Sequence, residues 1–194
     1  MRSSRVQAEA NREAVINAAS RLFRKNGFDG IGLKDLMKGA GLTQGGFYKQ
    51  FLSKDDLATH ASRRAMESAT RRWSSVAASS SDPFGAVVDF YLSAGHRGEI
   101  SDGCPLVALG SDAARQSEEV RTPFQDGIKA HLQVLEELMP QEGEPDANEK
   151  AMVTLALMVG AVTLARIVTD PDMSDRLLEA AANEVNRLVP RPGK

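Results

Sequence analysis

Cysteine is nearly absent from this chain. Cys104 is the only one, so no intramolecular disulfide can form and cysteine-rich zinc frameworks are excluded. No other spacing of ligand residues suggests a metal, so no metal site and no cofactor are expected. Long apolar runs are missing too. The longest uncharged stretch, Ala151 to Ala165, is shorter than the roughly 17–25 residues of a membrane-spanning helix. The opening MRSSRVQAEANRE has arginines with no apolar stretch behind them, unlike a secretory signal. A cytoplasmic chain with no membrane partner is the expectation. Alternating β-branched runs are also lacking, which argues against sheet. No glycine-rich phosphate loop or paired-carboxylate signature points to an enzyme. What is present is a chain with 42% apolar residues, enough for a real core and too many for disorder.

The net charge of −2 conceals an asymmetry. Residues 1–72 carry 14 Lys and Arg against 7 Asp and Glu, whereas residues 73–194 carry 10 against 19. A small basic module joined to an acidic domain suits a nucleic-acid binder with a separate regulatory part.

The periodicity is helical almost throughout. Val15, Ile16, Ala19, Leu22 and Phe23 mark one face of a helix from about Gln7 to Lys25, which Asn26-Gly27 stops. Leu33 to Ala40 forms a short helix ended by Gly41, and Thr43 is an N-cap for a second short helix bearing Phe47, Tyr48 and Phe51. Ser53 caps a long helix from Lys54 to about Ala78, which fades into serines. Beyond it, Asp82-Pro83 opens a helix, Gly95 to Gly103 reads as a polar loop, and Pro105 starts a helix to about Gln116. Further helices are expected over Glu118–Met139, where Pro123 kinks the helix or marks its true start, and over Asn148–Thr169 and Ser174–Leu188. An acidic loop, PQEGEPDANE, and a frayed tail, PRPGK, complete the chain.

Leu33 to Leu57 is the informative stretch. Two short helices around Gly41-Leu42-Thr43 match the helix-turn-helix plan, in which the first helix braces the second for entry into the major groove. Leu42, Phe47 and Phe51 can pack inward. Gln44, Gly45, Gly46, Lys49 and Gln50 are left to point outward.

The segment AASRLFRKNGFDGIGLKDLMKGAGLTQGGFYKQFLSKDDL, and above all GLTQGGFYKQFLSKDDL, resembles the TetR family of bacterial regulators over about Asn11 to Leu57. The resemblance implies an all-α fold: a three-helix helix-turn-helix DNA-binding domain over 1–53, a long connecting helix over 54–79, and a larger ligand-binding and dimerisation domain over 80–194. It implies phosphate contacts from Thr43, Tyr48 and Lys54, and base-edge contacts from Gln44, Gly45, Gly46 and Lys49. Lys34 and Gln50 complete the candidate DNA-binding set. Side-chain chemistry agrees, since hydroxyls and lysines suit phosphates, Gln can read adenine, and Lys can read guanine. Three positions depart from the family's habit: Gly32 for Thr or Ser, Gly39 for Ala, and Gln50 for His.

YLSAGHRGEISDGCPLVALGSDAARQ resembles one subgroup of that family. The resemblance implies that the last two helices pair with those of a second subunit, through Leu155, Val159, Val162, Leu164, Leu177, Leu178 and Val185. Phe84, Tyr91, Cys104, Leu109, Phe124, His131, Met152 and Met158 are the candidate ligand-binding residues. The expected partners are an inverted-repeat operator in double-stranded DNA, a second copy of the chain, and a small-molecule effector that releases a repressor. The subgroup includes regulators whose cysteine at this place answers electrophiles. A rival enzyme reading makes Cys104 a nucleophile, His96 its base and Asp102 the orienting group.

Overall fold

A computed structural model describes residues 5–139 and 146–190. Most of the acidic loop and all but Pro190 of the tail lie outside the described residues. Among those described, every regular element is a helix, so the all-α class holds. In chain order they are α1 (Arg5–Asn26), α2 (Leu33–Gly39), the 3-10 helix η1 (Gln44–Lys49), α3 (Lys54–Ala78), α4 (Pro83–Tyr91), α5 (Ala94–Gly98), α6 (Pro105–Ala113), α7 (Glu118–Leu138), α8 (Ala147–Ile167) and α9 (Pro171–Leu188).

Contacts divide the chain into two compact units. One combines the described residues up to Ser68 with Ile100–Asp126. The other combines Ala69–Glu99 with the described residues from Gly127 onward.

The first unit is organised by glycines at two helix ends. Gly27 takes φ +77°, and its N–H closes onto the Phe23 carbonyl at 2.7 Å, ending α1. Gly41 takes φ +71°, with Gly41 N–H bonded to the Lys38 carbonyl and Leu42 N–H to the Met37 carbonyl, both at 2.9 Å. This double closure turns the chain sharply out of α2. Inside, Val15, Ile16, Phe23, Leu36, Met37, Phe47, Phe51 and Leu57 form one apolar cluster that also includes Leu109, Ala113, Val120 and Phe124. The Phe28 ring joins the two stretches, 5.2 Å from Phe23 and 6.4 Å, edge on, from Phe124. Burial of these side chains, at about 25 cal/mol per Å², is why α6 and the start of α7 belong with the N-terminal helices.

The second unit begins α4 as the sequence suggests, Asp82 accepting from Gly85 N–H at 2.9 Å. The expected polar loop over Gly95–Gly103 is corrected at its start. Ser93 caps a short helix, α5, by accepting the His96 N–H at 3.1 Å. The last helix begins earlier than Ser174, because Asp170 accepts the Asp172 N–H at 3.0 Å and Pro171 fills the first position. Pro123 lies six residues into α7 and does not begin it. α8 and α9 pack together, and Leu155, Met158 and Val162 of α8 and Leu178, Ala181 and Val185 of α9 are buried. At 21 residues, α8 is long and apolar enough, by length and composition, to cross a membrane. It exceeds the uncharged run because Glu149, Lys150 and Arg166 are included.

Candidate nucleic-acid interface

The turn after α2 delivers η1 with two opposed faces. Phe47 is fully buried, stacks 5.6 Å from Phe51, and meets the Tyr48 ring edge-on at 5.1 Å. Tyr48 is thereby held with 73% of its surface exposed. Thr43, Gln44, Gly45 and Lys49 are exposed beside it, and Lys34 is exposed on α2. Gly46, Gln50 and Lys54 are half-buried. Gln50 is less available than expected, because its Oε1 is shut in without a hydrogen-bond partner.

Thr43 differs from its expected role. Its backbone is extended and its hydroxyl makes no cap bond, so the start of η1 is closed by backbone bonds such as Gly46 N–H to the Thr43 carbonyl at 3.1 Å. Two glycines in six residues, both poor helix formers, fit a tight 3-10 turn better than an α-helix. The N-cap at Ser53 holds as expected. Its Oγ accepts the Asp56 N–H at 3.0 Å, while Asp56 accepts the Leu52 N–H at 2.9 Å. Lys54 therefore starts α3 from a doubly fixed turn, one residue beyond the cap. Gly32 begins α2 without a side-chain cap bond, as a residue lacking a hydroxyl must.

Two features of this face have no signal in the periodicity. Leu52, at 90% exposure, stands directly after the buried Phe51. Beneath, Arg12 lies over the Phe51 ring at 5.0 Å and bonds His60 at 2.8 Å, a link across 48 residues that no local pattern signals.

A short helix braced by another, an outward row of hydroxyl, amide and amine groups, and a capped lysine behind it form a helix-turn-helix. Comparison with known proteins agrees along most of the chain. Residues 15–61 match the model of bacterial regulatory proteins of the tetR family, and residues 82–183 match the C-terminal domain of LmrA/YxaF-like transcriptional regulators. The chain belongs to the TetR family. The HTH-type transcriptional regulator LmrA of Bacillus subtilis is 28% identical over 160 residues, covering 79% of this chain and 85% of LmrA. The HTH-type transcriptional repressor NemR of Escherichia coli K12 is 26% identical over 195 residues, covering 93% and 94%. The crystal structure of the reduced form of E. coli NemR superposes with a TM-score of 0.78 at 25% identity, covering 95% of this chain and all of that one. A TetR-family structure from Cytophaga hutchinsonii, at 18% identity, shares the fold with a TM-score of 0.80 and covers 95% and 98%. The protein is a DNA-binding transcriptional regulator of the TetR family.

The regulatory candidates of this TetR-family chain do not all come together. Phe84, Tyr91, His131 and Met158 are buried in the second unit. Leu109 and Phe124 lie in the apolar core of the first unit, where Cys104 is also buried. Met152 is half exposed on α8. Helical spacing gives its side chain an apolar face without naming what covers that face. In the second unit the Trp73 ring meets His131 edge-on at 4.4 Å and Tyr91 at 5.5 Å. His131 Nδ1 donates to the Gly127 carbonyl at 2.7 Å, which fixes the tautomer and turns a lone pair on Nε2 into the interior. Burial lowers the pKa of His131.

The pairing candidates also divide. Leu155, Val162, Leu178 and Val185 are buried within their own subunit. Val159 and Leu177 are half-buried, and Leu164 is 51% exposed. Met152, Val153, Ala156, Leu164 and Ile167 leave an apolar side of α8 open. The members of the thiol-enzyme reading are occupied elsewhere. Asp102 pairs with Arg21 at 2.9 Å, and His96 Nδ1 donates to the Tyr91 carbonyl at 2.7 Å. Among the described residues no group of three or more His, Cys, Asp or Glu could hold a metal ion.

Proposed function

We propose that this regulator is a cytoplasmic, dimeric repressor that grips an inverted-repeat operator and lets go when its second unit takes up a small molecule. The observation that carries the reading is the split of η1 between buried Phe47 and the exposed Thr43, Gln44, Gly45, Tyr48 and Lys49, with Lys54 behind them. Thr43, Tyr48 and Lys54 take phosphates, while Gln44, Gly45, Gly46 and Lys49 face base edges, Lys34 adding positive charge and Gln50 closing the row. The second copy docks on the open side of α8 through Leu164 and Val159, with Leu177 on α9, so that two η1 segments meet two half-sites. Phe84, Tyr91, His131 and Met158 supply an apolar effector site with one imidazole acceptor.

Lys54→Ala should weaken binding to every duplex and lower the slope of log affinity against log salt by about one unit. Gln44→Ala should change base preference, at a cost of about 1–3 kcal/mol at one position. Wild-type behaviour from both variants overturns the assignment of η1.

A thiol trigger is the second reading. Cys104 stands at the N-cap of α6 and interacts electrostatically with the buried Arg24. The NemR crystal structure is that of a reduced form of that protein. Alkylating the thiol would displace α6 from the core that Leu109 anchors. Operator release by N-ethylmaleimide from wild type, with Cys104→Ser unaffected, supports it; equal responses overturn it.

A further inference from the structure

An arginine has only donors to offer, so an imidazole nitrogen bonded to one must supply its lone pair. Arg12 Nη2 lies 2.8 Å from His60 Nε2, which makes His60 a neutral acceptor with its proton on Nδ1. A second group waits at the same nitrogen: Asp56 Oδ1 is 3.3 Å away and can only accept. The two neighbours therefore need opposite protonation states of one atom. Neutral His60 holds the guanidinium, and protonated His60 donates to the carboxylate and repels Arg12.

Each neighbour is tied to the DNA-contact segment. Arg12 lies over Phe51, which stacks on Phe47, which supports Tyr48. Asp56 also accepts the Leu52 N–H. We propose that His60 is a positioning residue for DNA binding, its neutral Nε2 clamping Arg12 against Phe51 and its protonated form transferring to Asp56 and releasing that clamp. The proposal rests on η1 being the DNA-contact segment. Unclamped, the Phe47–Phe51 stack loses its outer support and η1 must be ordered at the moment of binding.

The charged groups around His60 come from two helices: Arg12 and Glu13 on α1, and Asp56 and Arg63 on α3. Glu13 is itself paired with Arg64 at 2.5 Å. Partial burial and the nearby Arg12 lower the imidazole's pKa, while Asp56 and Glu13 pull the other way. The clamp is therefore closed at neutral pH and opens in acid.

The test uses the full chain and a duplex that the wild type selects from random-sequence DNA at about pH 8, well above an ordinary histidine pKa. Affinity is followed by fluorescence anisotropy down to about pH 5.5 at fixed ionic strength. Variants are His60→Gln, whose Oε1 accepts from Arg12 at any pH, and Arg12→Met, which keeps the packing on Phe51 without the donor. Wild type should lose about tenfold more affinity than His60→Gln over that range, the scale of one hydrogen bond. Arg12→Met should bind more weakly than wild type at the upper pH and show the flatter profile. Superimposable wild-type and His60→Gln profiles, or wild-type affinity from Arg12→Met, would overturn the proposal. Arg12→Met reads the contact from its other end, so poor folding of His60→Gln leaves the test standing. Gln44→Ala measured on the same duplex tests the assignment of η1 separately.

Discussion

Arg24 on α1 donates Nη1 to the carbonyl of Gly103 at 2.9 Å, across 79 residues of chain. The guanidinium is buried, and its Nε also donates to the Ser20 carbonyl at 3.0 Å. Burial lowers the pKa of Arg24, while the nearby Asp102 carboxylate opposes that shift. One side chain thus ties the first helix to the segment leading into α6.

Replacing Arg24 with Met should therefore destabilise the fold. The aliphatic stem is retained, but the Gly103 carbonyl loses a charged donor, at a cost of about 1.5–3 kcal/mol. Urea denaturation should show a lower midpoint with an unchanged slope. A midpoint equal to wild type would mean that the bond contributes nothing net.

Gly45 and Gly46 are not required by the fold. Neither has positive φ, a Cβ at Gly45 meets nothing within 4 Å, and one at Gly46 meets only Met37 Cε at 3.7 Å. Alanine should stabilise each position by up to about 1 kcal/mol. If the bare backbone exists to let DNA approach, both variants melt higher and bind operator more weakly. Higher melting with unaltered affinity would leave the glycines without a role at the DNA.

Leu164 and Leu178 separate assembly from folding. Leu164→Glu places a charge on an exposed surface of α8, so the variant should keep its helicity and sediment as a monomer. Leu178 is only 4% exposed, and glutamate there buries an unpaired charge, which should leave the protein insoluble or unfolded. Dimers persisting in Leu164→Glu would move the interface elsewhere.

Acid should weaken the fold through its histidines. Burial lowers the pKa of His60, His96 and His131 below their ordinary value. The unfolded chain then binds protons that the folded chain refuses, so stability rises with pH. That contribution is complete above the unfolded pKa of about 6.5 and is lost as pH falls through the lower folded values. Glu99 adds a separate loss in stronger acid, since its bonds to Arg72 hold its carboxyl below the usual range. Thermal melts from neutral pH downward should show a falling midpoint, with less fall in His131→Phe.

The helix-turn-helix is legible because its determinants are local. The N–H groups of Gly41 and Leu42 close α2 onto the carbonyls of Lys38 and Met37, and Ser53 opens α3 by a bond three residues away. The same cap chemistry starts helices at Asp82-Pro83 and at Asp170-Pro171, yet at the second place periodicity alone points to Ser174. Partnership is what local pattern cannot carry. Leu109 and Phe124 look like any apolar residues in their helices, and only tertiary packing assigns them to the core with Phe23 and Leu36. Arg12 and His60 are 48 residues apart, and nothing near either announces the other.

The DNA-binding core is assembled from two stretches of chain, with residues 69–99 emerging from the ribosome between them. The helix-turn-helix is thus translated well before Leu109, Val120 and Phe124, and its core is completed only when they arrive. Anyone exchanging operator specificity between relatives faces the same arithmetic. A graft ending at the long helix would carry the reading head and leave part of its foundation in the donor, so α6 and the first turns of α7 must travel with it.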